Sequence, residues 1–321
     1  EVHDKIKELQ QQGMQDLILD LQFNGGGYLN AAQEVASEFL PNGKMIVYTD
    51  GRVMPRQELR AVGNGLMQHK GRLVVLVDEF SASAAEIVSG AIQDHDRGTI
   101  IGRRTFGKGL VQRPIDLPDS SMIRLTVSHY YTPSGRCIQK PYAKGQKEAY
   151  NRDLDNRYTH GELTSVDSIR LDSTKVYHTL EKHRTVYGGG GIMPDIFVPL
   201  DTTANPPLLR AIYRNNLVLE ATLHYADSHR KEIKRKYRSF ADFDAKFEAP
   251  AELIDSIMAN AKRKKLEPKD DKDLADTRRE LAILLKGSII MHLWDRNEYF
   301  QYTNRRNDIV KRALEFLNEG K

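Results

Sequence analysis

Residues 78–112, DEFSASAAEIVSGAIQDHDRGTIIGRRTFGKGLVQ, hold a serine ahead of a helical pattern and, one strand later, a lysine between glycines. Just upstream, Leu73 to Val77 (LVVLV) is short, apolar and rich in β-branched residues, as a buried strand requires. Small residues Ser81 to Ala85 follow. Ala84, Ile87, Val88 and Ala91 then recur at helical spacing, which predicts a helix from Ser83 to Asp94. Ser83 thus stands at a helix amino end, where unpaired N–H groups favour negative charge. Ser83 and Glu86 also fit the S-x-x-E capping box, in which the hydroxyl only satisfies a backbone donor.

The strand pattern Thr99 to Ile101 leads into Thr105-Phe-Gly-Lys-Gly109. Flanking glycines let the backbone pack closely while the Lys108 amine turns inward. A lysine serves as a general base only when neutral, and burial in a dry pocket favours that form. In an extended segment Lys108 and Gln112 share one side, so Gln112 is placed to orient the amine. The run Gly102 to Lys108 also fits G-x-x-x-x-G-K, the start of a phosphate-binding loop. That reading fails at Gly109, which stands where Ser or Thr should ligate magnesium, and at Leu110 to Pro114, which continues extended where a helix should open.

Several stretches together resemble the carboxy-terminal processing (tail-specific) serine peptidases, which use a Ser/Lys dyad. Ser81-Ala-Ser-Ala-Ala-Glu86 is similar to their nucleophile motif, Phe106-Gly-Lys-Gly-Leu-Val-Gln112 to their lysine motif and Leu17-Ile-Leu-Asp-Leu-Gln-Phe-Asn-Gly-Gly-Gly27 to their glycine loop. Tyr130-Tyr-Thr-Pro-Ser-Gly135 and Gly188-Gly-Gly-Gly-Ile-Met-Pro-Asp195 match two further signatures, all in order along the first 200 residues. The resemblance implies an α/β, crotonase/ClpP-like sheet-and-helix protease core with a carboxy-terminal helical region. It makes Ser83 the nucleophile, Lys108 the base and Gln112 the residue that positions the lysine. The oxyanion hole falls to the backbone N–H groups of Gly26 and Ala84, with Gly25 as a substitute because three glycines run together. It further implies a polypeptide substrate, no cofactor, no metal, an exported or periplasmic setting and an amino-terminal PDZ domain in the parent protein. The chain departs from the pattern at Gln22, where an arginine is usual, and at Ala85, where many members have serine.

Composition agrees with a soluble globular class, at 40% hydrophobic and 29% charged residues. A formal charge of +4 is small for 321 residues and lends little to nucleic-acid or membrane binding. The single cysteine, Cys137, excludes an intrachain disulfide. The chain opens in a charged helical pattern, Glu1 to Gln12, with no initiating methionine or signal sequence, as in a fragment of a longer protein.

Asp16 to Leu21 reads as a buried strand, Tyr28 to Leu40 as a helix and Lys44 to Thr49 as a strand, with Gly51 to Lys70 as loop plus helix. Met122 to Tyr131 alternates as a strand and ends in the turn Thr132 to Gly135. His129 in that strand offers a Ser/His alternative to the lysine. Residues 142–187 form a polar insertion, and residues 1–200 then make the core. Residues 201–321 are expected to be helical, with patterns at Leu208 to Ala226, Ala251 to Lys262, Leu274 to Trp294 and Ile309 to Leu317. The helical region leaves room for a homo-oligomer. Two rivals to a peptidase stand beside it: a catalytically silent polypeptide-binding scaffold of the same fold, and another acyl-transfer enzyme using two backbone amides.

Overall fold

The computed structural model describes residues 1–143, 145–203 and 205–319. Packing divides them into a unit of residues 1–199 with those from Arg312 on, and a unit of residues 200–311.

The first unit is built on a parallel sheet of strands β1 (Leu17–Asp20), β4 (Leu73–Val77), β5 (Thr99–Gly102) and β10 (Ile196–Phe197), lying side by side in that order. Every residue of β4 is buried, which explains its unbroken apolar run. Helix α3 (Ala84–Asp94) joins β4 to β5 and is buried along its whole length. Such a helix must satisfy its polar side chains internally. Ser89 Oγ donates to Ala85 O (2.9 Å), Gln93 Nε2 to Met193 O (2.9 Å), and Arg136 Nη2 to Asp94 Oδ1 (2.5 Å), the last pair fully shielded from solvent. Helices α1 (Val2–Gln11) and α2 (Leu29–Ser37) add Ile6, Ala32 and Ala36 to the same apolar core.

A second, antiparallel sheet runs β3 (Gln57–Arg60), β2 (Met45–Asp50), β7 (Met122–Tyr131), β6 (Leu110–Asp116). Its strand β3 corrects the expectation of loop plus helix over residues 51–70. The segment Gln57-Glu-Leu-Arg60 has too few apolar residues for a periodic pattern and is ordered by pairing with β2, with Leu59 packed on the core. The polar insertion forms α4 (Lys147–Asn151), α5 (Asp153–Thr159) and the hairpin β8 (Val176–His178) and β9 (Thr185–Tyr187).

The second unit holds α6 (Pro207–Arg214), α7 (Leu217–Lys236), α8 (Phe240–Lys246), α9 (Ala251–Arg263), α10 (Asp271–Leu293) and α11 (Arg296–Thr303). The expected helix 208–226 is broken in two, because Asn216 takes a left-handed conformation (φ 58°) between α6 and α7. One core gathers Leu208, Ile212, Ile257 and Leu281, and a second is aromatic, with Tyr237, Phe243 and Phe247 in ring contact. Helix α12 (Asp308–Asn318) follows, and in the first unit Arg72 Nη2 donates to its Leu317 carbonyl (2.5 Å). No helix among the described residues is long and apolar enough to cross a membrane.

Candidate active site

The exit of β4 places Ser83 at the amino end of α3 with φ 57° and ψ −116°. A serine in this conformation is strained, and the strain persists because the surrounding bonds over-determine it. Below it lies Glu86, whose side chain is wholly buried. Its carboxylate accepts four hydrogen bonds: Ser83 N (2.8 Å), Thr105 Oγ1 (2.5 Å), Gly107 N (2.7 Å) and Lys108 N (2.9 Å). The amides of Ser83 and Lys108 end on the same oxygen atom, Oε2. Two segments separated by a helix and a strand are thereby fastened to one charge. Burial pushes the Glu86 carboxyl above its ordinary range, against the pull of these donors.

Tyr130 completes the junction. Its side chain is buried, its hydroxyl donates to the Lys108 carbonyl oxygen, and the same hydroxyl is bonded to the Ser83 side chain. Burial, with the nearby Glu86 charge, pushes the Tyr130 phenol well up, so it stays a neutral donor. Ser83 and Lys108 are both partly buried, and Lys108 Nζ has no hydrogen-bond or ion-pair partner among the described residues.

The glycine loop reaches the same place. A Cβ added at Gly26 (φ 97°) would lie 2.7 Å from Ser83 Cβ, 2.7 Å from Ala82 O and 2.8 Å from Ala84 N, so only glycine permits this approach. Asn24 O accepts from Ala82 N (2.9 Å) and holds the loop down. The Gly26 N–H itself donates to Asn24 Oδ1 (2.9 Å), so a substrate oxygen would have to replace that acceptor.

Of the residues singled out in the sequence, Ser83, Ala84, Gly26 and the Lys108 backbone therefore come together. Gln112 does not join them: it is exposed at a β-bulge in β6, opposite Thr126 on β7, and no hydrogen bond links it to Lys108. The bulge between Val111 and Gln112 interrupts the alternation that places Gln112 on the lysine's side. His129 is exposed, on the face of β7 opposite Tyr130. Tyr130 and the clamping role of Glu86 go unread in the sequence. The signals were present, one as the first residue of the Tyr130 to Gly135 motif and the other as the last residue of an apparent cap.

The insertion supports the lysine segment from behind. Arg157, 5% exposed, donates to the carbonyls of Thr105 (Nη1, 3.0 Å) and Arg104 (Nη2, 2.6 Å) and to Glu162 (Nε, 2.7 Å). Glu162 also accepts two bonds from Arg104, at 2.8 and 2.6 Å. Close by, the Lys140 ammonium lies over the rings of Phe106 (3.9 Å) and Tyr150 (4.2 Å). Burial alone would push the Glu162 carboxyl up, but the bonds from Arg104 and the charge of Arg157 outweigh it and hold the group below its ordinary value. A carboxylate so lowered on folding adds stability above its unfolded-state pKa and loses that contribution as pH falls through the folded value. Melting temperatures measured from about pH 6 down to about pH 3 are therefore expected to fall more steeply than those of E162Q. Parallel curves would show that this pairing adds nothing.

Residues 1–146 match Peptidase family S41, and residues 208–295 match a family of unknown function, DUF8443. The amino-terminal part of the chain, a mixed α/β unit, is thus similar to Peptidase family S41. Among its relatives, the chloroplastic C-terminal processing peptidase of Tetradesmus obliquus is 42% identical over 41% of this chain and 28% of its own length. The carboxyl-terminal-processing protease of Synechocystis sp. is 41% identical over 44% of this chain and 32% of its own length. The carboxy-terminal-processing protease of Bartonella bacilliformis is 46% identical over 38% of this chain and 28% of its own length. The chain therefore spans about a third of each of these relatives, between 28% and 32%. A solved structure of the photosystem II D1 C-terminal processing protease aligns with 30% identity and a TM-score of 0.43, over 62% of this chain and 38% of that one.

Proposed function

We propose that the chain is the catalytic part of a serine endopeptidase that cleaves polypeptides near their carboxy termini through an acyl-enzyme. The convergence of the Ser83 and Lys108 amides on one Glu86 oxygen supports this reading, because it fastens the backbones of the alcohol-bearing and the amine-bearing residue to one junction beside the glycine loop. In the proposed reaction Ser83 Oγ attacks the scissile carbonyl carbon while Lys108 Nζ takes the hydroxyl proton. The negative oxygen of the tetrahedral intermediate is stabilised by Ala84 N–H, which has no acceptor among the described residues, and by Gly26 N–H once it leaves Asn24. In other enzymes one such donor contributes about 3 kcal/mol. The C–N bond then breaks, Lys108 returns its proton to the leaving amine, and the acyl ester remains on Ser83. A water gives a proton to Lys108 and attacks the ester, the ester C–O bond breaks, and Lys108 passes that proton to Ser83 Oγ as the new carboxy terminus leaves.

The names of the relatives, all carboxy-terminal processing enzymes, support the substrate class. The reading extends to an exported, periplasmic setting and to a longer parent protein with a PDZ domain, both of which follow from the family resemblance. Gln112 would act in it only after β6 shifts its bulge. A fluorophosphonate probe tests the central claim: we expect covalent labelling of one residue, Ser83, located by peptide mass spectrometry. Failure to label the folded protein, or labelling elsewhere with Ser83 untouched, would sink it.

A further inference from the structure

Two phenylalanines flank the same turn in an unusual state. Phe23 is 72% exposed and Phe80 42% exposed, and their rings stack on each other with centroids 5.1 Å apart and planes 14° from parallel. Phe23 also has φ 57°, a left-handed conformation that is an outlier for a bulky side chain. Burying these rings would be favourable, and relaxing Phe23 would be too, so something must hold both where they are.

The holder is Asp78, which is fully buried at the end of β4. Its carboxylate accepts from Phe23 N (3.1 and 3.2 Å), from Phe80 N (3.0 Å) and from Ser81 N (3.0 Å). Ser81 Oγ in turn donates to Leu21 O (2.7 Å). One buried charge therefore fixes the backbone under both rings. It does so on the two segments that also bring Gly26 against Ser83.

We propose that Phe23 and Phe80 form an apolar shelf that receives a hydrophobic or aromatic side chain of the polypeptide next to the scissile bond. A stacked, fixed pair of rings offers a flat face to such a side chain and little to a small or charged one. The position decides the occupant: the pair sits on the two loops that present the Ser83 turn. The inference rests on the peptidase reading for its occupant, and it can be tested without cleavage.

Fluorescently labelled peptides that differ only by Phe, Leu, Ala or Asp at one varied position would be titrated by anisotropy against S83A and against S83A carrying F23A and F80A. The S83A protein is expected to bind the Phe and Leu peptides about 10–100-fold more tightly than the Ala peptide. The triple variant is expected to lose most of that preference, and F23L to retain part of it. An equal weakening for all four peptides, or a preference that survives both substitutions, would overturn the shelf. So would self-association of the wild type that disappears with F23A and F80A, since the rings would then belong to an interface with a second copy. Failure of the peptidase reading shows differently, as wild-type protein that cleaves none of the peptides while S83A still ranks them.

Discussion

Alanine at Ser83, or methionine at Lys108, is expected to lower peptide cleavage on the order of 10⁴-fold or more while the melting temperature stays near that of the wild type. Both side chains are only partly buried, and neither supplies the packing of the β4–α3 unit. The strained backbone at residue 83 is fixed by the Glu86 bond to its N–H, which alanine keeps. Methionine at residue 108 keeps the apolar stem and the amide bonded to Glu86, and removes only the amine. The measurement is product formation from a quenched peptide, with thermal unfolding followed in parallel. Substantial residual turnover in either variant would refute the dyad, and loss of activity with loss of fold would call for the labelling experiment instead.

The second large effect is expected at Glu86, and on stability as well as rate. Removing its carboxylate in E86A strands three backbone N–H groups and the Thr105 hydroxyl, those of Gly107 and Thr105 in a buried site. Each unsatisfied buried donor costs about 1–3 kcal/mol, and partial relaxation should leave a net loss of about 3–5 kcal/mol. Because the same oxygen holds the amides of Ser83 and Lys108, activity should fall with stability. E86Q keeps one oxygen but turns an NH₂ towards the donors, so it should fall between. Urea unfolding and peptide cleavage measured on the same preparations check this. An E86A protein with unchanged midpoint and rate would show that the clamp holds nothing.

Much of this was legible in the sequence because its signals are local. The unbroken apolar run of β4, the helical spacing after Ser83 and the glycines at 25–27 are each decided by neighbours in the chain. What escaped depends on partners far away. Strand β3 is ordered by β2 rather than by its own composition, and the break at Asn216 is a single left-handed residue inside a helical pattern. At the site, the glutamate three residues after the serine read as a helix cap. It does bond the Ser83 amide, but its other three donors come from residues 105–108. Gln112 shows the reverse failure: even spacing along a strand implied a shared face, and a bulge removed the premise.

The stay behind the lysine has a consequence for how this polypeptide divides. The match to the family model ends at residue 146, yet Arg157 and Glu162, which grip the carbonyls and guanidinium of residues 104 and 105, lie past that limit. A piece trimmed at that limit would keep every residue of the proposed chemistry and forfeit the brace on the segment that leads into Lys108. The border of the family match and the border of the brace thus differ, and a piece meant to keep the lysine segment in place must include Glu162.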